Sequence, residues 1–111
     1  MENIKSALPK HSQVVIIGGG VIGCSTAYHL AKLGWKDVVI LERKQLTSGT
    51  TWHAAGLIVS GGFGSETLIS MAHYTRELYK NLEKETGVST GFKPIGYVQI
   101  TKSASRLRGL R

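Results

Sequence analysis

The chain has 111 residues, 41% of them hydrophobic, with 14 Lys and Arg against 7 Asp and Glu for a formal balance of +7. Lys102, Arg106, Arg108 and Arg111 fall in the last ten residues with no acid among them; without these, ten basic residues face seven acidic ones, so the excess belongs to one end and not to a basic face. No stretch interleaves basic and aromatic side chains, which argues against a nucleic-acid partner, and no apolar run has the length of a membrane span.

Residues 1–12 read as a leader that carries Glu2, no arginine and no apolar stretch of signal-peptide length. It resembles neither a secretory signal nor a typical mitochondrial transit peptide, so a cytoplasmic location is expected. The single cysteine, Cys24, rules out an internal disulfide and suits a reducing compartment.

Val14-Val15-Ile16-Ile17 is an unbroken β-branched run, the mark of a parallel strand buried on both faces. Gly18-Gly19-Gly20-Val21-Ile22-Gly23 follows at once and satisfies G-x-G-x-x-G, and a helix is expected over residues 22–33, stopped by Gly34. In that pattern Gly18 permits the tight turn, Gly20 lets the backbone approach a pyrophosphate, and Gly23 lets the helix sit close on the strand with the phosphate at its N-terminus. A second buried run, Val38-Val39-Ile40-Leu41, ends in Glu42, nineteen positions beyond Gly23, where a carboxylate accepts hydrogen bonds from a ribose. A carboxylate there disfavours a 2′-phosphorylated cofactor, and leaves FAD and NAD.

The next segment separates these two. An NAD fold leads through another crossover into a third parallel strand. Here the chain runs from Arg43 into a turn rich in Thr, Ser and Gly, where Ser48, Gly49, Thr50 and Thr51 offer hydroxyls and backbone N–H groups to a second polar stretch of ligand, as the longer FAD requires. Within that turn, His53 is either a nucleophile toward a flavin ring, as a neutral imidazole is at pH 7, or a cap of its own turn. Trp52 either stacks on a cofactor or packs. Arg43 either meets the adenine end of the ligand or is a surface charge. His11, His29 and His73 read as solvated or packed side chains, and no His/Cys/Asp/Glu cluster has metal spacing.

Downstream, residues 65–85 form a long amphipathic pattern with Leu68, Met71, Ala72, Leu78, Tyr79 and Leu82 on one stripe, Thr75 as a polar break and Gly87 as the stop. Residues 95–100 alternate well enough to predict a strand of a half-exposed sheet, and residues 105–111 read as the opening of another helix. Two parallel strands and one crossover are half a mononucleotide-binding unit. The chain is therefore expected to be the amino-terminal piece of a larger protein: residues 13–87 the first part of an FAD-binding domain, residues 88–111 the start of a substrate domain.

The run over residues 14–34, the Glu42-Arg43 pair, the block Leu46-Thr47-Ser48-Gly49-Thr50-Thr51-Trp52-His53-Ala54-Ala55-Gly56-Leu57 and the later Glu83-Lys84-Glu85-Thr86-Gly87 resemble the N-terminal part of the sarcosine and dimethylglycine dehydrogenases. The resemblance covers residues 13–101, and its Trp-His-x-Ala-Gly element is far more specific than the glycines. It implies an α/β, Rossmann-like FAD-binding βαβ unit of the glutathione-reductase and D-amino-acid-oxidase type, incomplete here, followed by the start of an α+β substrate domain. It further implies that His53 is bonded to the 8α carbon of FAD. Val21, Ile22, Glu42, Arg43 and the block Gly49, Thr50, Thr51, Trp52, His53, Ala54, Ala55, Gly56 and Leu57 would contact the cofactor. The activity implied is oxidation of an N-methyl group of a small methylated glycine by hydride transfer to the flavin, releasing formaldehyde. A carboxy-terminal tetrahydrofolate-binding domain would capture the one-carbon unit, and an electron-transfer flavoprotein or oxygen would accept the electrons. Animal members of the family are mitochondrial, which makes the matrix the alternative location. Two rivals stand beside this reading. One is the regulatory subunit of pyruvate dehydrogenase phosphatase, which resembles the family but lacks the histidine at the matching position. The other is an NAD-dependent dehydrogenase, which the turn over residues 47–56 disfavours.

Overall fold

The computed structural model describes residues 9–110; the first eight positions of the expected leader and Arg111 lie outside the described residues. The chain divides into two compact units, residues 1–55 and 56–111.

The first unit is a βαβ arrangement of β1 (Val14–Ile17), α1 (Val21–Lys32) and β2 (Val38–Leu41). The strands are parallel, with Val14 opposite Val38 and Ile17 opposite Leu41. Parallel neighbours need a crossover, and α1 supplies it. It starts after Gly20, whose backbone is extended, and closes on Gly34 in the left-handed region at φ +91°, whose N–H donates to the Ala31 carbonyl at 3.0 Å. Gly23 sets how near α1 approaches β1. A Cβ at Gly23 would run into the Gly18 carbonyl oxygen and stand 3.3 Å from Ile16 Cγ2. Gly19 and Gly23 are the only two buried residues among those described, one in the glycine turn and one in the first turn of α1. On the far side of β1, Pro9, Lys10, His11 and Ser12 share a small cavity with Val15, while Ile17 is 87% exposed. After β2 the unit ends with a one-turn 3-10 helix over Thr50–His53.

The second unit contains α2 (Glu66–Thr86) and α3 (Ala104–Gly109). Glu66 lies in the first turn of α2 and Lys84 in its last, the signs that suit the helix dipole. Gly87 ends it at φ +71°, donating its N–H to the Glu83 carbonyl. The half-buried stripe differs from expectation at one end. Ile69, Ala72, Leu78, Tyr79 and Leu82 are half-buried, whereas Leu68 and Met71 are exposed. The expected polar break is satisfied locally, because Thr75 Oγ1 donates to the Met71 carbonyl at 2.9 Å, and Tyr79 meets Phe92 edge-on at 6.0 Å. In α3 the Ser103 hydroxyl caps the first turn, accepting from the Arg106 N–H.

The strand expected over residues 95–100 is not formed; that segment has no regular structure. A strand exists only as one side of a hydrogen-bonded ladder, and the β1–β2 pair is the one ladder among the described residues. Gly96 also breaks the extended run at φ +74°. The alternation that suggested a strand survives in another role. Tyr97 and Gln99 turn toward Gly61 and Gly62, where a Cβ would meet the Tyr97 hydroxyl and stand 3.0 Å from Gln99 Nε2 respectively, while Val98 and Ile100 face outward.

Candidate functional site

The site is built on the turn between β1 and α1. Gly18 adopts φ +102°, a region open to glycine at little cost, and its N–H donates to the Leu41 carbonyl at 2.8 Å. This tie brings the ends of the two strands together. Gly19 is the hub. Its N–H donates to Glu42 Oε2 at 2.8 Å, and its carbonyl accepts from the Thr47 N–H at 2.8 Å and from the Cys24 thiol at 3.4 Å. A Cβ at Gly19 would collide with Leu46 Cδ2 and lie 3.3 Å from Glu42 Cβ. The segment after β2 is thus folded back over the glycine turn, with Thr47 at φ +63°.

Glu42 stands at the end of β2, half-buried. Its second oxygen accepts from the Lys44 N–H at 2.9 Å. These two backbone donors, Gly19 first and Lys44 second, hold the carboxyl below the usual carboxylate range, because each stabilises the charged form. The folded value therefore lies below the unfolded one, about 4.3; the contribution of Glu42 to ordering the turn is complete above that pH and is lost as pH falls through the folded value. We expect the amide shift of Gly19 to titrate on the acid side of pH ~4.3 and the step to vanish in Glu42→Gln. The same step in the variant would assign it to another carboxylate.

An open groove of about 1280 Å³ lies over this turn. Of the residues expected to hold a cofactor, Gly18, Gly20, Val21, Ile22, Gly23, Glu42, Arg43, Ser48, Gly49, Thr50, Thr51 and Ala54 line it. Trp52, His53 and Ala55 are not among its lining, and Gly56 and Leu57 belong to the second unit. Lys44 and Thr47 line the groove as well, though neither was among the residues expected to contact the cofactor. The signal for Gly19 was the middle glycine of the triplet over residues 18–20, where the fingerprint leaves its x position free.

His53 is exposed at the end of the 3-10 turn, between residues 51 and 54 that line the groove. Its Nδ1 lies 3.0 Å from the Gly49 carbonyl oxygen. A carbonyl only accepts, so in the neutral ring Nδ1 holds the proton and Nε2 carries the free lone pair. The capping role weighed for His53 is therefore real and is compatible with nucleophilic use of the other nitrogen. Trp52 is 79% exposed and makes no ring contact among the described residues. His29 bonds the Ser25 carbonyl through Nδ1 at 2.7 Å and meets Tyr28 edge-on, the packed alternative read from its place on α1.

The donor set suits a dinucleotide. The N–H groups of Gly20 and Ile22 at the start of α1 have no acceptor among the described residues, which is where an anion is favoured, and Glu42 offers acceptors at the end of β2. Fold and groove together are those of a βαβ unit suited to a dinucleotide. The chain belongs to the FAD dependent oxidoreductase family, whose pattern matches residues 13–111. Sarcosine and dimethylglycine dehydrogenases are among its relatives: the human mitochondrial enzymes are 47% and 46% identical over 90% and 86% of this chain, and the match spans 11% of each of them. The mitochondrial pyruvate dehydrogenase phosphatase regulatory subunit of Mus musculus is 45% identical over 95% of the chain and 12% of its own length. Among solved structures, glycine oxidase from Bacillus cereus superposes with a TM-score of 0.65 at 33% identity, over 90% of this chain and 28% of that one. The chain thus spans about an eighth or less of these three curated relatives. No helix among the described residues is long and apolar enough to cross a membrane.

Proposed function

We propose that this chain holds the cofactor end of an FAD-dependent amine dehydrogenase or oxidase that removes an N-methyl group from a small methylated glycine of the sarcosine or dimethylglycine type, with the flavin bonded to His53. The observation that carries this reading is the His53 turn, with its proton pinned on Nδ1 by Gly49 and a lone pair left on Nε2, next to a groove whose lining suits a dinucleotide. Residues 13–87 form the first part of the FAD-binding domain and residues 88–111 the start of the substrate domain.

The chain's own residues have three tasks. The N–H groups at the start of α1 and the hydroxyls of Ser48, Thr50 and Thr51 bind the anionic middle of the cofactor, Glu42 accepts from a ribose hydroxyl, and His53 Nε2 attacks the 8α carbon. When bound, the flavin would supply the redox chemistry, accepting two electrons as the His53 C–N link replaces an 8α C–H and the imidazole N–H, and two more with the hydride from the substrate's N-methyl group, with an electron-transfer flavoprotein or oxygen as the final acceptor. Water then completes demethylation, giving the amine and formaldehyde, with tetrahydrofolate as the proposed acceptor of the one-carbon unit. The two dehydrogenases and the regulatory subunit named above are mitochondrial proteins, which favours a mitochondrial location over the cytoplasmic one read from residues 1–12.

A regulatory role is the weaker reading because His53 is present. The test uses the full-length protein. Its acid-precipitated pellet is expected to stay yellow, and the enzyme to release formaldehyde from sarcosine or dimethylglycine with an artificial electron acceptor. Colour passing into the supernatant defeats the covalent link, and no formaldehyde from any methylated glycine defeats the substrate class.

A further inference from the structure

We propose that Thr51 is a positioning residue for flavin attachment: its hydroxyl fastens the 3-10 turn that carries His53 to the first N–H of α1. The inference rests on the reading of His53 given above. The Val21 N–H donates to Thr51 Oγ1 at 2.9 Å across 30 positions of sequence. Helix α1 leaves this donor open, because its N-cap is Gly20 and no side chain caps it locally. A hydroxyl from far along the chain therefore does what an N-cap serine or threonine does for other helices. Gly20 makes room for it, since a Cβ at that position would stand 3.0 Å from Thr51 Oγ1.

The other hydrogen bonds of residues 50–53 stay inside their own segment. Trp52 N–H and the His53 ring both bond the Gly49 carbonyl, and the Ala54 N–H bonds the Thr51 carbonyl. A single 3-10 turn has too few bonds to hold its own orientation. Thr51, half-buried while Thr50, Trp52 and His53 are exposed, is thus the one hydrogen-bonded tie between that turn and the rest of its unit among the described residues. Attack by an imidazole depends steeply on where it is held, and a displacement of about 1 Å costs on the order of 10²-fold in rate.

The test compares the full-length wild type, Thr51→Val and Thr51→Ser as apo-proteins reconstituted with FAD. Valine keeps the shape and removes the acceptor; serine restores it. We expect Thr51→Val, at FAD concentrations that saturate each protein, to form acid-stable flavin about 10- to 100-fold more slowly than wild type, Thr51→Ser to regain a near wild-type rate, and hydrogen exchange at the Val21 amide in the apo-protein to speed up only in the valine variant. A wild-type linking rate in Thr51→Val overturns the proposal, as does a serine variant no better than valine. If the wild type itself forms no acid-stable flavin, the reading of His53 fails separately. The Val21 amide then decides the fastening, and unchanged protection in Thr51→Val overturns it.

Discussion

His53→Ala in the full-length protein is expected to abolish acid-stable flavin while leaving FAD bound by the groove. None of the twelve expected contact residues that line that groove is His53, so removing the imidazole takes away the nucleophile and leaves the cradle's hydrogen bonds in place. The hydroxyl of Thr51 still reaches the Val21 N–H, and Glu42 still holds Gly19. Absorbance of the acid-precipitated pellet against that of the native protein reads the two forms of binding separately. A flavin linked through a ring substituent is a stronger electron acceptor, so the variant should also show a lower flavin potential and slower turnover of methylated glycines. Acid-stable flavin in His53→Ala would move the bond to another residue.

Gly23→Ala should be the most damaging single methyl that can be added to the first unit. The new Cβ would collide with the Gly18 carbonyl, which is backbone and cannot rotate away as a side chain would. Either α1 lifts from β1 or the glycine turn shifts, and both routes disturb Gly19 and the groove above it. Overpacking of this kind costs about 1–3 kcal/mol, and the damage falls on FAD content as well as on thermal stability. Gly64→Ala is the matched control, since a Cβ there meets nothing within 4 Å and its φ is not left-handed. Its effect should stay within about 0.5 kcal/mol. Equal melting temperatures for the two variants would show that the approach of α1 to β1 is not set by Gly23.

Much of the first unit was legible because its signals are local. Short apolar runs at residues 14–17 and 38–41 became the two strands with those bounds, and the helix between them differs from expectation by a residue at each end. Glycine and proline chemistry acts on the residue that carries it, so Gly34 and Gly87 could be read as stops. The failure at residues 95–100 has the opposite cause. Alternation reports which side of a segment is apolar, but a strand requires a partner, and partnership is not written in the segment itself.

For the site, the residue types and their spacing singled out the glycines and Glu42, which line one groove, whereas Trp52 and His53 are not among its lining. What only the tertiary structure decided is how these parts are tied: Gly19 joined to Glu42, Thr47 and Leu46, and the Thr51 hydroxyl capping a helix that begins 30 positions earlier. Such bonds join groups whose separation along the chain carries no period or propensity. They exist because the β1–α1–β2 crossover returns the chain to its starting strand, where backbone donors and acceptors left open by the turn must find partners.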